Sequence, residues 1–175
     1  MPRRKKIVRV FDCWGPEYRI DFGVKFNVKP PKAKGSKHNY YNFFRFTSTN
    51  KDCCDYGDRL PVVHMQSSDA NLVKLHIAMT PAPNRTQVYL DSYLKVGQEY
   101  NFTMTQEKLN DGTNQALFTL RRSDYNQLVW SQKTEATQFR NVKWYQSDQF
   151  HTSIGNRVEV NHMTVSTNCS LNNNN

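Results

Sequence analysis

A chain of 175 residues, 37% of them hydrophobic, is long enough for one domain with its own core. No stretch approaches the ~20 consecutive apolar residues of a membrane-spanning helix. Its 24 Lys and Arg against 15 Asp and Glu give a formal charge of +9, which draws it toward polyanions. Specific nucleic-acid binding is set aside: the aromatics alternate as core residues do, and no zinc finger, recognition helix or RNA platform accompanies them. A sulphated or otherwise acidic glycan or matrix component is the expected partner.

Taken in chain order, Arg3-Arg-Lys-Lys6 opens a basic N-terminal arm over residues 1–12, and Cys13-Trp-Gly-Pro16 is turn chemistry. Tyr18, Ile20, Phe22, Val24, Phe26 and Val28 then fall on one face of a strand, the period of two that marks one face in a core and one in water. The prolines of residues 29–38 interrupt the ladder. Tyr40–Thr47 is an aromatic strand, with Tyr41, Phe43 and Phe44 inward. Residues 60–66 and 72–79 read as neighbouring strands joined by a polar turn. Tyr100, Phe102 and Met104 alternate on a later strand, and Asn110-Asp-Gly-Thr113 predicts a tight hairpin, because an Asx-Gly pair accepts positive φ. Further strands follow at residues 116–120, 127–131, 139–145 and 157–165. Thr134–Gln138 is the one short helical candidate, and residues 170–175 form an asparagine-rich disordered tail. About ten short strands punctuated by turns predict an all-β antiparallel sandwich or barrel.

Cys13, Cys53, Cys54 and Cys169 lack the CxxC spacing of zinc or thioredoxin-type sites. Their even number, with sequons at Asn84, Asn101 and Asn168, predicts disulfides, glycosylation and a secreted protein. Four cysteines permit three pairings. The densest chemistry lies in Asn50-Lys-Asp-Cys-Cys-Asp-Tyr-Gly-Asp-Arg-Leu-Pro61. His64, His76 and His162 each stand alone on strands and read as ordinary packed or surface histidines.

Six segments together carry a family likeness: Trp14-Gly-Pro-Glu-Tyr-Arg-Ile-Asp-Phe22, Phe44-Arg-Phe-Thr47, Tyr56-Gly-Asp-Arg-Leu-Pro-Val62, Leu75-His-Ile77, Val96-Gly-Gln-Glu-Tyr-Asn101 and Phe139-Arg-Asn-Val-Lys-Trp-Tyr-Gln-Ser-Asp148. In that order they resemble secreted invertebrate domains of the laminin-G and concanavalin A-like lectin type, over about Cys13 to Thr167. The resemblance implies a jelly-roll β-sandwich of two antiparallel sheets over residues 13–169, with first and last strands side by side. On that implication Cys13 pairs with Cys169, leaving Cys53 with Cys54. Such relatives hold calcium at a sandwich edge, so Asn50, Asp52, Asp55 and Asp58 become the expected calcium ligands, with a structural Asp58–Arg59 ion pair as the rival reading. Tyr56, Arg59, Tyr89 and Asp91 are the expected sugar-binding residues, aromatic faces flanked by polar groups.

The expected function is a lectin-like carbohydrate- or matrix-binding module. The rival is a self-associating structural protein of an extracellular matrix, a homo-oligomer without a small ligand. Catalysis on polysaccharide ranks last, because no Glu-x-Asp-x-x-Glu pattern supplies the paired carboxylates of glycoside hydrolysis.

Overall fold

The computed structural model describes residues 6–28, 40–51, 55–68, 71–83, 88–122, 125–135, 137–147, 152–153 and 158–169. Twelve strands account for most of them: β1 (Lys6–Trp14), β2 (Glu17–Phe26), β3 (Tyr40–Thr47), β4 (Val62–Ser67), β5 (Leu72–Met79), β6 (Val88–Lys95), β7 (Glu99–Lys108), β8 (Asn114–Arg122), β9 (Tyr125–Thr134), β10 (Phe139–Ser147), β11 (Thr152–Ser153) and β12 (Val158–Asn168). The larger sheet runs β1-β10-β3-β4-β5-β6, with β11 beside β3; the smaller runs β12-β2-β7-β8-β9. Among the described residues every pairing is antiparallel except β11 with β3. The protein is therefore an all-β sandwich of two sheets, of jelly-roll type.

Alternation explains the core. Ile20, Phe22, Val24 and Phe26 from β2 meet Tyr100, Phe102 and Met104 from β7. Across the sandwich lie Phe44, Phe46, Val63, Met65, Leu75 and Ile77. Phe22 stacks on Phe102 at 4.9 Å and meets Phe44 edge-on at 5.1 Å, geometry that adds to simple burial. Trp14 packs against Phe11, Tyr18 and Phe46 at 5.0 to 5.2 Å. Emptying the site of one such ring by an alanine substitution costs about 3–5 kcal/mol.

Three local expectations are corrected, and the inward placement of adjacent Phe43 and Phe44 is explained. The basic arm is not an arm from residue 6 onward, because Ile7 to Phe11 pair with β10 as an edge strand and Arg9 lies 4.6 Å over the Phe11 ring. Val28 lies beyond the end of β2 and is 50% exposed. A register shift between Asn42 and Phe44 turns both Phe43 and Phe44 into the core, as a β-bulge does. Thr134–Gln138 does not begin a helix, since Thr134 closes β9. The predicted hairpin turn is present: Gly112 takes φ 81°, and Asp111 Oδ1 accepts from the Thr113 N–H and hydroxyl at 2.9 and 2.6 Å.

A covalent link joins the sheets. Cys13, in an edge strand of the larger sheet, is bonded to Cys169, just past an edge strand of the smaller one, with Cα atoms 6.0 Å apart. The Gly15 N–H donates to Thr167 Oγ1 at 2.8 Å. A Cβ on Gly15 would fall on the Asn168 carbonyl, so only glycine allows this approach.

Candidate functional site

Side chains that alternate away from the core on β3 to β6 line the outer face of the larger sheet. Register places Asn42, His64, His76 and Asp91 in one row across four strands. Beside it runs a second row, Tyr40, Gln66, Lys74 and Tyr93. These positions face outward because their neighbours Met65, Leu75 and Leu94 belong to the core.

Asp91 organises the face. Its Oδ1 lies 2.6 Å from His76 Nδ1, and its Oδ2 lies 2.7 Å from Lys74 Nζ. One carboxylate thereby fixes a ring and a cation on the neighbouring strand. Partial burial opposes ionisation of Asp91, but the bonds from Lys74 and His76 outweigh it and hold the carboxyl below its usual range. An ionised carboxylate only accepts hydrogen bonds, so Nδ1 of His76 carries the proton and Nε2 keeps the lone pair. Burial lowers the His76 pKa below the ordinary histidine value; Asp91 opposes that shift, while Lys74 and Arg59 add to it. The bond to Asp91 raises the Lys74 amine. Neutral His76 beside ammonium Lys74 is the resulting state at neutral pH.

Aromatic rings enclose this pair. His76 stacks between Tyr40 at 4.8 Å and Tyr89 at 5.0 Å. Tyr40 also lies 5.6 Å from His64. Burial raises the Tyr40 phenol, with Lys74 acting against the shift. His64 and His76 are 2% and 8% exposed, whereas Tyr89 and Tyr93 are 53% and 57% exposed. Buried titratable groups thus sit beneath solvent-facing phenols, an arrangement common at sites of proton transfer.

Three of the four expected sugar-binding residues belong here: Tyr89 and Asp91 by contact with His76, and Arg59 through its charge. Tyr56 does not. Its ring is half-buried against Phe139 at 4.9 Å, at the other side of the loop. The expectation that His64 and His76 stand alone is corrected, because β4 and β5 pair them directly.

The expected calcium loop is arranged differently. Asp58 is fully buried; its carboxylate accepts the Asp55 N–H at 2.8 Å and the Thr49 hydroxyl. Asp55 pairs with Lys51 at 2.7 Å, and Asn50 Oδ1 accepts from Lys143 at 2.9 Å. Arg45 donates to the carbonyls of Asp58 and Lys51, fastening the loop to β3. The oxygens of Asn50, Asp55 and Asp58 thus receive protein donors, and no group of three His, Cys, Asp or Glu side chains suited to a metal occurs among the described residues. Asp52, Cys53, Cys54 and the sequon residue Asn84 lie outside the described residues. Asn101 is half-buried on β7, Asn168 is exposed at the end of β12, and exposed His162 lies over Gly23 on the smaller sheet.

No known protein family matches the chain, and no curated protein matches it. Among solved structures, an endo-β-1,4-glucuronan lyase from the fungus Trichoderma reesei aligns with 91% of this chain and 73% of its own, at 15% identity and a TM-score of 0.46. That similarity concerns the fold and carries no residue roles. The expectation of a lectin-like or structural module is not what this comparison returns: the aligned structure is named a lyase, the class that the sequence ranks last, and at this identity and TM-score the likeness reaches the fold alone.

Proposed function

We propose that the protein is an enzyme that cleaves an acidic polysaccharide by elimination, with His76 as the base. The observation that carries the reading is Asp91 holding His76 through one oxygen and Lys74 through the other. Elimination from a uronate needs a base for the proton α to the carboxylate, a cation to offset the charge that develops there, and an acid for the leaving oxygen. His76 Nε2 takes the proton from C5. The electrons form the C4–C5 double bond as the C4–O bond breaks, and the departing oxygen takes a proton from the Tyr40 phenol. Lys74 and Arg59 lower the cost of the enolate-like charge. The Tyr40 proton is then restored from imidazolium His76 through solvent, so the cycle closes without any added oxidant or water across the bond.

This chemistry does not call for the paired carboxylates of hydrolysis. An acidic substrate fits the net charge of +9. Secretion fits the Cys13–Cys169 bridge, which persists in oxidising compartments.

The test is incubation with polymers of glucuronate, galacturonate and mannuronate, following the ultraviolet absorbance of the unsaturated product. Wild type should generate it on at least one polymer and His76→Ala should not. New reducing ends without unsaturation, or no cleavage of any uronate polymer, would overturn the proposal.

A further inference from the structure

Beyond the proton-transfer groups, β6 has a feature the elimination step does not use. Tyr89, Asp91, Tyr93 and Lys95 occupy alternate positions on one strand and share the outer face, while Leu90 and Leu94 pack toward the core. β6 ends the strand order of the larger sheet. Tyr89 and Tyr93 are the large exposed aromatics of this face. Four residues of strand separate them by ~13 Å, with Asp91 midway. Each is also accompanied by cations: Lys74 lies directly across from Tyr93 on β5, exposed Lys95 follows two residues along, and Arg59 acts on His76 beside Tyr89.

Aromatic faces suit the apolar side of a pyranose, and neighbouring ammonium groups suit its carboxylate. Two such stations, one on each side of the catalytic row, are farther apart than a single monosaccharide reaches. We infer that β6 is a rail for the acidic polymer: Tyr89 and Tyr93 hold sugar units on opposite sides of the cleavage point, and the enzyme requires an internal stretch of chain occupying both. This rests on the elimination reading, and it adds a chain-length requirement and a residue, Tyr93, with no part in proton transfer.

The polymer is favoured over a protein partner by charge. A uronate chain brings one carboxylate per sugar to a strand whose Lys95 ammonium is exposed and whose Asp91 carboxylate is offset by Lys74. It also matches an open strand, along which an extended chain can lie without entering a closed cavity.

The test uses the uronate polymer on which the wild type is active and a ladder of its oligomers. Wild-type kcat/KM should climb steeply with chain length until both tyrosines are spanned, then level off. Tyr93→Ala should raise KM for the polymer roughly threefold to tenfold with kcat nearly unchanged, and should flatten the rise of kcat/KM with chain length. Tyr93→Phe should restore the wild-type KM, because the ring face and not the hydroxyl is used. Lys95→Gln should weaken binding to the polymer more at low salt than at high salt. Absence of turnover by the wild type on every uronate polymer sinks the elimination reading and the rail with it. Turnover with no chain-length dependence, or a Tyr93→Ala KM equal to that of the wild type, sinks the rail alone.

Discussion

The outer faces of the two sheets are built by the same alternation, yet they treat polar side chains in opposite ways. On the smaller sheet, Arg19 and Asp21 pair at 2.6 Å two residues apart on one strand, and Asp21 also accepts from Thr103 at 2.7 Å. The Arg19–Asp21 pair lies along one strand with its guanidinium in solvent, and exposed pairs of this kind contribute about 0–1 kcal/mol. On the larger sheet, Asp91 gathers Lys74 and His76 from the adjacent strand, and the histidines are buried. Burying titratable groups works against folding unless they are well partnered. A solvated face can tolerate any polar pattern; a buried convergent one needs a reason to exist, and chemistry is the reason proposed here.

Substitutions can break this contrast. His76→Ala should have the largest effect, a loss of roughly 10²- to 10⁴-fold in kcat, the contribution typical of a positioned base. Measured turnover that survives this change would make the two faces equivalent. Asp91→Asn comes next. It removes the group that orients His76 and holds Lys74, so kcat should fall roughly 10- to 100-fold, and the acid limb of the rate profile should move to lower pH because Asp91 raises the His76 pKa. A limb that stays in place would separate Asp91 from His76.

Stability against pH sharpens the comparison further. Because the folded protein lowers the His76 pKa, the unfolded chain takes up this proton first as pH falls through the ordinary histidine range near ~6.5. The associated stability is complete above that range and declines on going below it, toward the lowered folded value. Denaturant melts at pH 8 and pH 5.5 should show the decline in wild type and a smaller one in His76→Gln. The smallest effect belongs to Arg19→Ala, which should change stability by less than about 0.5 kcal/mol and leave turnover intact. A larger change in the same melts would mean that the smaller sheet's pair is more than a solvated contact.

Much of the sandwich is legible in residue spacing. Ile20, Phe22, Val24 and Phe26 reveal their buried face by period alone, and Asp111-Gly112 reveals its turn. Lys6 to Phe11 is harder, because a run of basic residues masks β-branched Ile7, Val8 and Val10 on an edge strand. The site is less legible, although one signal for it exists. Partner numbers across β4 and β5 sum to 140, as in 62 with 78 and 64 with 76. A hairpin centred near residue 70 therefore sets His64 opposite His76 by chain position alone. Asp91 requires the register of a third strand, which local pattern does not specify. The 50–61 loop is dense in aspartate, and there Asp58 accepts from the Asp55 N–H and Thr49, the local bonding that makes aspartate common in turns. Catalysis ranks last only when the residues are held against hydrolysis, where the missing carboxylate pair counts; elimination asks for a base, a cation and a phenol.

The link between Cys13 and Cys169 spans 156 residues of sequence, so in covalent terms nearly the whole protein is a ring. A single proteolytic cut between residues 14 and 168 opens that ring without producing a separate fragment. Both pieces stay attached through the bridge while the twelve interleaved strands remain hydrogen-bonded. A chain nicked in a surface loop would keep its His76 face assembled, with the damage visible only after reduction.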